Sequence, residues 1–203
     1  ARAVPHSFNL SPHVVPDRWS VSRNLGGLGA ALASEIADQQ PGLSIDLDTE
    51  LDRSSSNIDD PYFLPALRDA NRINWGQFTG PTTPDRIGRL RAVIEACAFE
   101  ARLTLEQASP SVVVHELTVV GGGTNSRYLT QQIADATGMP LAVQCEASRP
   151  ALGAAMLAAG SRGWPTFNRP ITPTATIHPS LPYNETMDKR YAEYRQLTSG
   201  DRQ

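Results

Sequence analysis

Cysteine is scarce in these 203 residues: Cys97 and Cys145 are the pair, far apart in stretches that both read as buried. A disulfide framework in a chain of this size needs more of them, so both are expected to be core residues, and a reducing cytoplasm is the expected location. Long apolar runs are missing too. The most apolar stretch, residues 151–159, is mostly alanine and falls far short of the ~20 residues that span a bilayer. Aromatic residues make up 6%, the formal charge is −3 and no Lys/Arg cluster carries interleaved aromatics, so the electrostatic footprint of a nucleic-acid binder is absent. No Gly-Lys pair occurs, which excludes the G-x-x-x-x-G-K-[ST] phosphate loop. No second His, Cys or acid stands at metal spacing from His115, so that residue reads as a strand-edge side chain and no metal site is expected.

What is present describes a folded protein. Hydrophobic residues at 40% and charged residues at 19% suit an ordinary α/β domain and are too apolar for intrinsic disorder. The length allows one well-buried core, or one large half of a bigger enzyme, rather than two independent domains. The chain opens on Ala1 instead of Met, and Pro5 breaks the place where a signal peptide carries its apolar core. A fragment or processed chain, not a secreted one, is expected.

Along the chain, Pro5, Pro12 and Pro16 set residues 1–24 as loops with short strands, ending at 19–21. Gly26, Gly27 and Gly29 lead into a short helix with Leu28, Leu32 and Ile36 on one face, closed by Pro41 and Gly42. Residues 44–60 read as an acidic, Ser-rich excursion, "YFLPAL" as a fixed turn on the core, and "INWGQFTGPTTPD" as loop. Thr83 is expected to cap the next helix, with Pro84 at its first position and Asp85 in its first turn. That helix is the clearest element: Ile87, Leu90, Ile94, Cys97, Ala98, Ala101 and Leu105 recur at spacings of three and four. Arg86, Arg89, Glu95, Glu100, Arg102 and Glu106 are expected on its outer surface.

Strand, glycine loop, helix, strand and helix then follow. "VVVHELTVV" is β-branched and apolar, and "SRYLTQQIADATG" puts Tyr128, Leu129, Gln132, Ile133 and Ala136 on one side and stops at Gly138. "LAVQC" is a short strand, and Ser148 caps "RPALGAAMLAAG". The alternation predicts a layered α/β fold. Beyond Gly163 the chain reads as irregular to about Tyr183, and a last helix carries Met187, Tyr191 and Tyr194 on one face.

The three glycines, Gly121, Gly122 and Gly123, pose the functional question. Glycine lets a ligand approach without a Cβ in the way, and a helix starting just after offers unpaired N–H groups and a positive dipole end. A phosphate or a flat purine suits that geometry; so does a tight turn with no ligand at all. A dinucleotide fingerprint is a rival, with Ser126 in the place of its third glycine and Glu146 placed as a ribose-binding acid. Ser126 can equally be a helix cap and Asn125 a turn support. Glu95 and Asp135 read as ion-paired or solvated helix carboxylates, and Trp19, Trp75 and Trp164 as loop anchors packed on the core.

The order "LTVVGGGTNSRYLTQQIADATGMPL" followed by "EASRPALGAAMLAA" resembles the C-terminal nucleotide-binding half of the FGGY carbohydrate kinases, of the actin/hexokinase/Hsp70-like ATPase superfamily. Upstream, "YFLPAL", "GQFTG" and "RAVIEACAFEAR" resemble that family's Phe-Leu-Pro segment, G-x-F-x-G motif and Arg-Ala-x-x-Glu-x-x-Ala-Phe helix. The chain departs from it at Asp69–Ala70–Asn71, at Pro81 and at Gly88–Arg89, which weakens assignment to any one substrate subgroup.

The resemblance implies an α/β, actin-like ATPase (ribonuclease H-like) domain, a mixed sheet flanked by helices and an incomplete lobe. Residues 1–203 would be most of the C-terminal ATP-binding lobe, the N-terminal sugar-binding lobe being absent. It implies ATP-dependent phosphorylation of a ketopentose such as xylulose or ribulose, or of a glycerol-like polyol, with ATP and Mg2+ as cofactors. A homodimer is compatible with it, and nucleic acid or membrane is not expected as a partner. Nucleotide contact is carried over to the backbone of Gly121, Gly122 and Gly123, with Thr124, Asn125 and Ser126 near the adenine or ribose. The catalytic base would lie outside the chain. A non-catalytic nucleotide-binding or regulatory relative is the alternative.

Overall fold

The computed structural model of the chain describes residues 8–13, 17–25, 27–37, 47–53, 59–65, 76–80, 84–110, 112–144, 149–163, 172–180 and 185–199. In chain order they form β1 (Asn9–Pro12), β2 (Trp19–Ser22), α1 (Leu28–Ala37), α2 (Leu47–Arg53), β3 (Tyr62–Pro65), β4 (Gly76–Thr79) and α3 (Arg86–Ala108). Then come β5 (Leu117–Val120), α4 (Arg127–Thr137), β6 (Leu141–Gln144), α5 (Arg149–Ser161), β7 (Ala175–Ile177) and α6 (Glu185–Ser199).

Packing is organised around α3. Its start is two residues later than expected: Asp85, in extended backbone, is the cap, and its carboxylate accepts from the Gly88 N–H at 2.7 Å. Pro84 therefore precedes the cap, and Thr83 lies outside the described residues. Leu90, Val93, Ile94, Ala98 and Phe99 are buried as the periodicity requires. The outer surface expected of Glu95 and Glu100 is not found, because these side chains are 4% and 0% exposed, and Arg91 is 5% exposed. The reason is that α6 and the residues after β2 cover that side and bring partners. Glu100 pairs with Arg23 at 2.9 Å and accepts from the Tyr194 hydroxyl at 2.9 Å. A charge enters a core only with such compensation.

One cluster joins α3 to α1, β3, α4 and α6 through Leu28, Tyr62, Phe63, Phe99, Ala136, Met187, Tyr191 and Tyr194. A second joins α2, α3 and α4 through Leu51, Leu90, Ile94, Tyr128 and Leu129. Cys97 is a free thiol packed against both. Ile36, expected on the buried face of α1, is exposed, as is Trp19 on β2. Cys145, Glu146, Ser148, Trp75 and Trp164 lie outside the described residues.

"YFLP" and "GQFT" are not turn and loop but an antiparallel pair, Tyr62 opposite Thr79 and Pro65 opposite Gly76. Gly76 makes this possible: at φ +152° an added Cβ would stand 2.3 Å from the Leu64 carbonyl oxygen. The motif glycine is required by a close backbone approach inside the fold. The segment read as a polar excursion contains α2, whose Leu51 is buried.

The second half gives the expected mixed sheet, in the order β5-β6-β7. β5 and β6 are parallel, joined by the α4 crossover, and β7 pairs antiparallel to β6 within a stretch expected to be irregular. The strand read from "VVVHELTVV" is confined to its last four residues, and His115 is exposed ahead of it.

Candidate functional site

At the end of β5 the chain must turn from strand into helix within a few residues. Gly121 takes φ +93° and ψ −169°, a region open in practice only to glycine. Gly122–Asn125 then makes a single 3-10 turn. Thr124 closes it: its N–H and its hydroxyl both donate to the Gly121 carbonyl, at 3.1 and 2.7 Å. The Ser126 N–H donates to the Gly123 carbonyl at 3.2 Å.

The three glycines differ in what demands them. Gly121 is demanded by its backbone angle. At Gly123 an added Cβ would stand 3.1 Å from Cδ2 of Leu129, so packing on α4 leaves little room. At Gly122 the backbone is not left-handed, and an added Cβ would meet nothing within 4 Å. Nothing within the described fold requires glycine at position 122. The space beside it is open, as a flat ligand resting on the loop would need.

Of the other residues expected here, Asn125 is exposed at the end of the turn, whereas Thr124 is buried with its hydroxyl turned back on the loop. Ser126 is the N-cap of α4, its oxygen accepting from the Leu129 N–H at 3.1 Å. Its proton is committed elsewhere, donated to Oδ1 of Asp48 at 2.7 Å, while Oδ2 of Asp48 accepts from the Arg127 N–H at 2.7 Å. The Arg127 guanidinium pairs with Asp52, one turn further along α2. The start of α4 is therefore not the open row of N–H groups that the sequence pattern suggests: a carboxylate from α2 fills it.

Sequence reading missed Asp48, and no local signal marks it, since its partners lie 78 and 79 positions away. Glu95 and Asp135 do not approach the loop chemistry. Glu95 meets Arg190 at 2.6 Å. Asp135 accepts from the Ser180 N–H at 2.6 Å and from Gln131 Nε2 at 2.9 Å, tying the chain after β7 to α4. Among the described residues no group of three or more His, Cys, Asp or Glu could hold a metal ion, and no helix is long and apolar enough to cross a membrane.

The glycine turn and its helix sit in a stretch with known relatives. The sequence model for the FGGY family of carbohydrate kinases, C-terminal domain, matches residues 19–161. A ribulokinase from Mycolicibacterium smegmatis is 42% identical over 78 residues, which are 38% of this chain and 14% of that protein. Among solved structures, a xylulose kinase from Rhodospirillum rubrum superposes with a TM-score of 0.76 at 21% identity, over 98% of this chain and 43% of the other. A Plasmodium falciparum glycerol kinase with ADP gives 0.64 at 19% identity, over 90% of this chain and 38% of the other. Those structural likenesses show that the chain shares its fold with part of each of these two kinases, and the chain spans less than half the length of each of these three proteins.

Proposed function

The chain belongs to the FGGY family of carbohydrate kinases, and from that membership we propose that residues 1–203 are most of the C-terminal, ATP-binding lobe of a kinase for a sugar or polyol hydroxyl. The substrate class is a ketopentose such as xylulose or ribulose, or a glycerol-like polyol. Its single carrying observation is Gly122, a glycine that neither backbone strain nor any neighbour within 4 Å among the described residues explains, on a loop that leads straight into a helix. The relatives' names support the reading: one is a ribulokinase, and one was solved with ADP.

Phosphoryl transfer is mostly positioning and electrostatic stabilisation of the group in flight. This chain's share is to hold the nucleotide. The faces of Gly121 and Gly122 receive its base or ribose, and Asn125 supplies an amide at the rim. A second lobe would bring the hydroxyl and the carboxylate that takes its proton, and closure of the two would exclude water that otherwise hydrolyses ATP. Since the described residues offer no cluster for a metal, Mg2+ would arrive on the nucleotide phosphates, and none of these residues is assigned to it. A cytoplasmic enzyme accords with the free thiol of Cys97.

Calorimetric titration of this chain with Mg-ADP, repeated with NAD and with the Gly122→Val variant, tests the proposal. Saturable binding of Mg-ADP that valine removes, with none for NAD, is expected. Binding of NAD in preference would turn the reading toward a dinucleotide enzyme. Binding of neither by the folded chain would sink the proposal for this chain alone.

A further inference from the structure

The unexplained feature beside the loop is Asp48. Its two carboxylate oxygens are divided between the Ser126 hydroxyl and the Arg127 N–H, both at 2.7 Å. Ser126 is in turn bonded to the glycine turn through its N–H and to α4 through its oxygen. A continuous chain of hydrogen bonds thus runs from α2 into the loop. The Arg127–Asp52 pair fastens the same two helices a second time, and Leu51 packs against Tyr128 and Leu129 beneath them.

We propose that Asp48 is a positioning residue for the nucleotide: it locks the glycine turn to α4 and, by filling the anion site at the start of that helix, leaves the loop to the uncharged end of its ligand. The proposal rests on the nucleotide-binding reading above. Two physical consequences follow from the geometry. The hydroxyl of Ser126 has spent its proton on Asp48, so toward a ligand it can only accept. A phosphate brought to the first turn of α4 would meet a carboxylate already holding the Arg127 N–H, and like charges at that range repel. The polyphosphate is thereby directed away from α4 and the nucleoside toward Gly121 and Gly122.

The test is calorimetry on the wild-type chain, Asp48→Ala and Asp48→Asn, each titrated with adenosine, Mg-ADP and inorganic pyrophosphate, with melting temperatures alongside. Losing a helix-start contact of this kind typically removes about one order of magnitude in an equilibrium constant. In Asp48→Ala the dissociation constant for adenosine should rise about ten-fold, while pyrophosphate, whose repulsion is gone, should bind more tightly than to wild type. Asparagine, which keeps one acceptor, should recover part of the adenosine affinity. The inference is overturned if Asp48→Ala binds adenosine as wild type does. It is equally overturned if affinity for all three ligands falls in step with the melting temperature, which is what a merely structural contact predicts. Wild-type chain that binds neither adenosine nor Mg-ADP defeats the nucleotide reading and this one together, whereas intact wild-type binding with no shift of preference defeats this one alone.

Discussion

Nη2 of Arg190 and Oε2 of Glu95 meet at 2.6 Å with 0% and 5% of their side chains exposed. Arg190 also donates to the carbonyls of Asp60 and Pro61, at 2.9 and 3.2 Å, and lies 4.4 Å over the Tyr62 ring. Burial works against the guanidinium's charge, but Glu95, together with Tyr62 and Asp60, outweighs it and holds the Arg190 pKa above its ordinary value. The C-terminal helix α6 is thus fastened to α3 by a buried charge pair and not by apolar contact alone.

Breaking one side of a buried pair leaves an uncompensated charge, which typically costs about 3–5 kcal/mol. Glu95→Ala should therefore destabilise the chain by several kcal/mol in urea denaturation, and Arg190→Met likewise. The double variant Glu95→Leu with Arg190→Met should recover part of the loss, because no charge is then stranded. Single variants that unfold at the wild-type urea midpoint would show that the pair does not hold α6.

Gly76→Ala tests the first glycine of the G-x-F-x-G motif. An alanine Cβ would lie 2.3 Å from the Leu64 carbonyl oxygen and 2.6 Å from the Phe63 ring, and β3 or β4 must shift to admit it. A loss well beyond the ~1 kcal/mol of an ordinary Gly-to-Ala mismatch is expected, read as a melting temperature lowered by roughly 2–4 °C for each kcal/mol. An unchanged melting temperature would show that the motif is not kept for this close approach.

Legibility followed locality. The α3 helix and the succession β5, loop, α4, β6 were readable because periodicity, the Ser126 cap and the Gly138 stop all lie within a few residues of what they determine. β4 and β7 were not, since three or four residues become a strand only when a partner strand offers its edge. Glu95 and Glu100 look like surface on a helical wheel because no wheel shows that α6 will lie across them. At the site, the glycines were legible from their run, but Asp48 was not, because its role exists only once α2 has packed against α4.

Stability should fall in alkali. Burial, and then the Glu100 carboxylate to which its hydroxyl donates, raise the Tyr194 pKa. Burial and a bonded glutamate do the same at Tyr62 and Tyr191. Burial pushes the Cys97 thiol from 9.0 up to about 12. A proton held more tightly folded than unfolded stabilises the fold at every pH below the unfolded value, and that contribution is lost as pH rises toward the folded one. The melting temperature is thus expected to fall from about pH 9, where unfolded cysteine ionises, and more steeply from about pH 10, where unfolded tyrosine does. Tyr194→Phe should be less stable at pH 7 yet lose stability less steeply above pH 10. In a Cys145→Ser background, Cys97 should stay unreactive toward a thiol reagent at pH 8 until the chain unfolds.

The glycine loop makes a final prediction that needs no ligand. Gly121, at φ +93° and ψ −169°, occupies a region that costs a side-chain-bearing residue about 1–3 kcal/mol. Gly121→Ala should lower stability by that amount. At Gly123 the new methyl would press on the end of a leucine side chain at 3.1 Å, which can yield, so a smaller loss is expected. Gly122→Ala meets open space on an unstrained backbone, and its stability should stay within about 0.5 kcal/mol of wild type. The order wild type and Gly122→Ala, then Gly123→Ala, then Gly121→Ala is checked by urea titration of the four chains. If Gly122→Ala proves the least stable, the residue serves the fold, and its value as a probe of nucleotide binding is lost. If the order holds, any ligand affinity that Gly122→Val abolishes is lost for want of space beside the loop, since nothing among the described residues occupies that space.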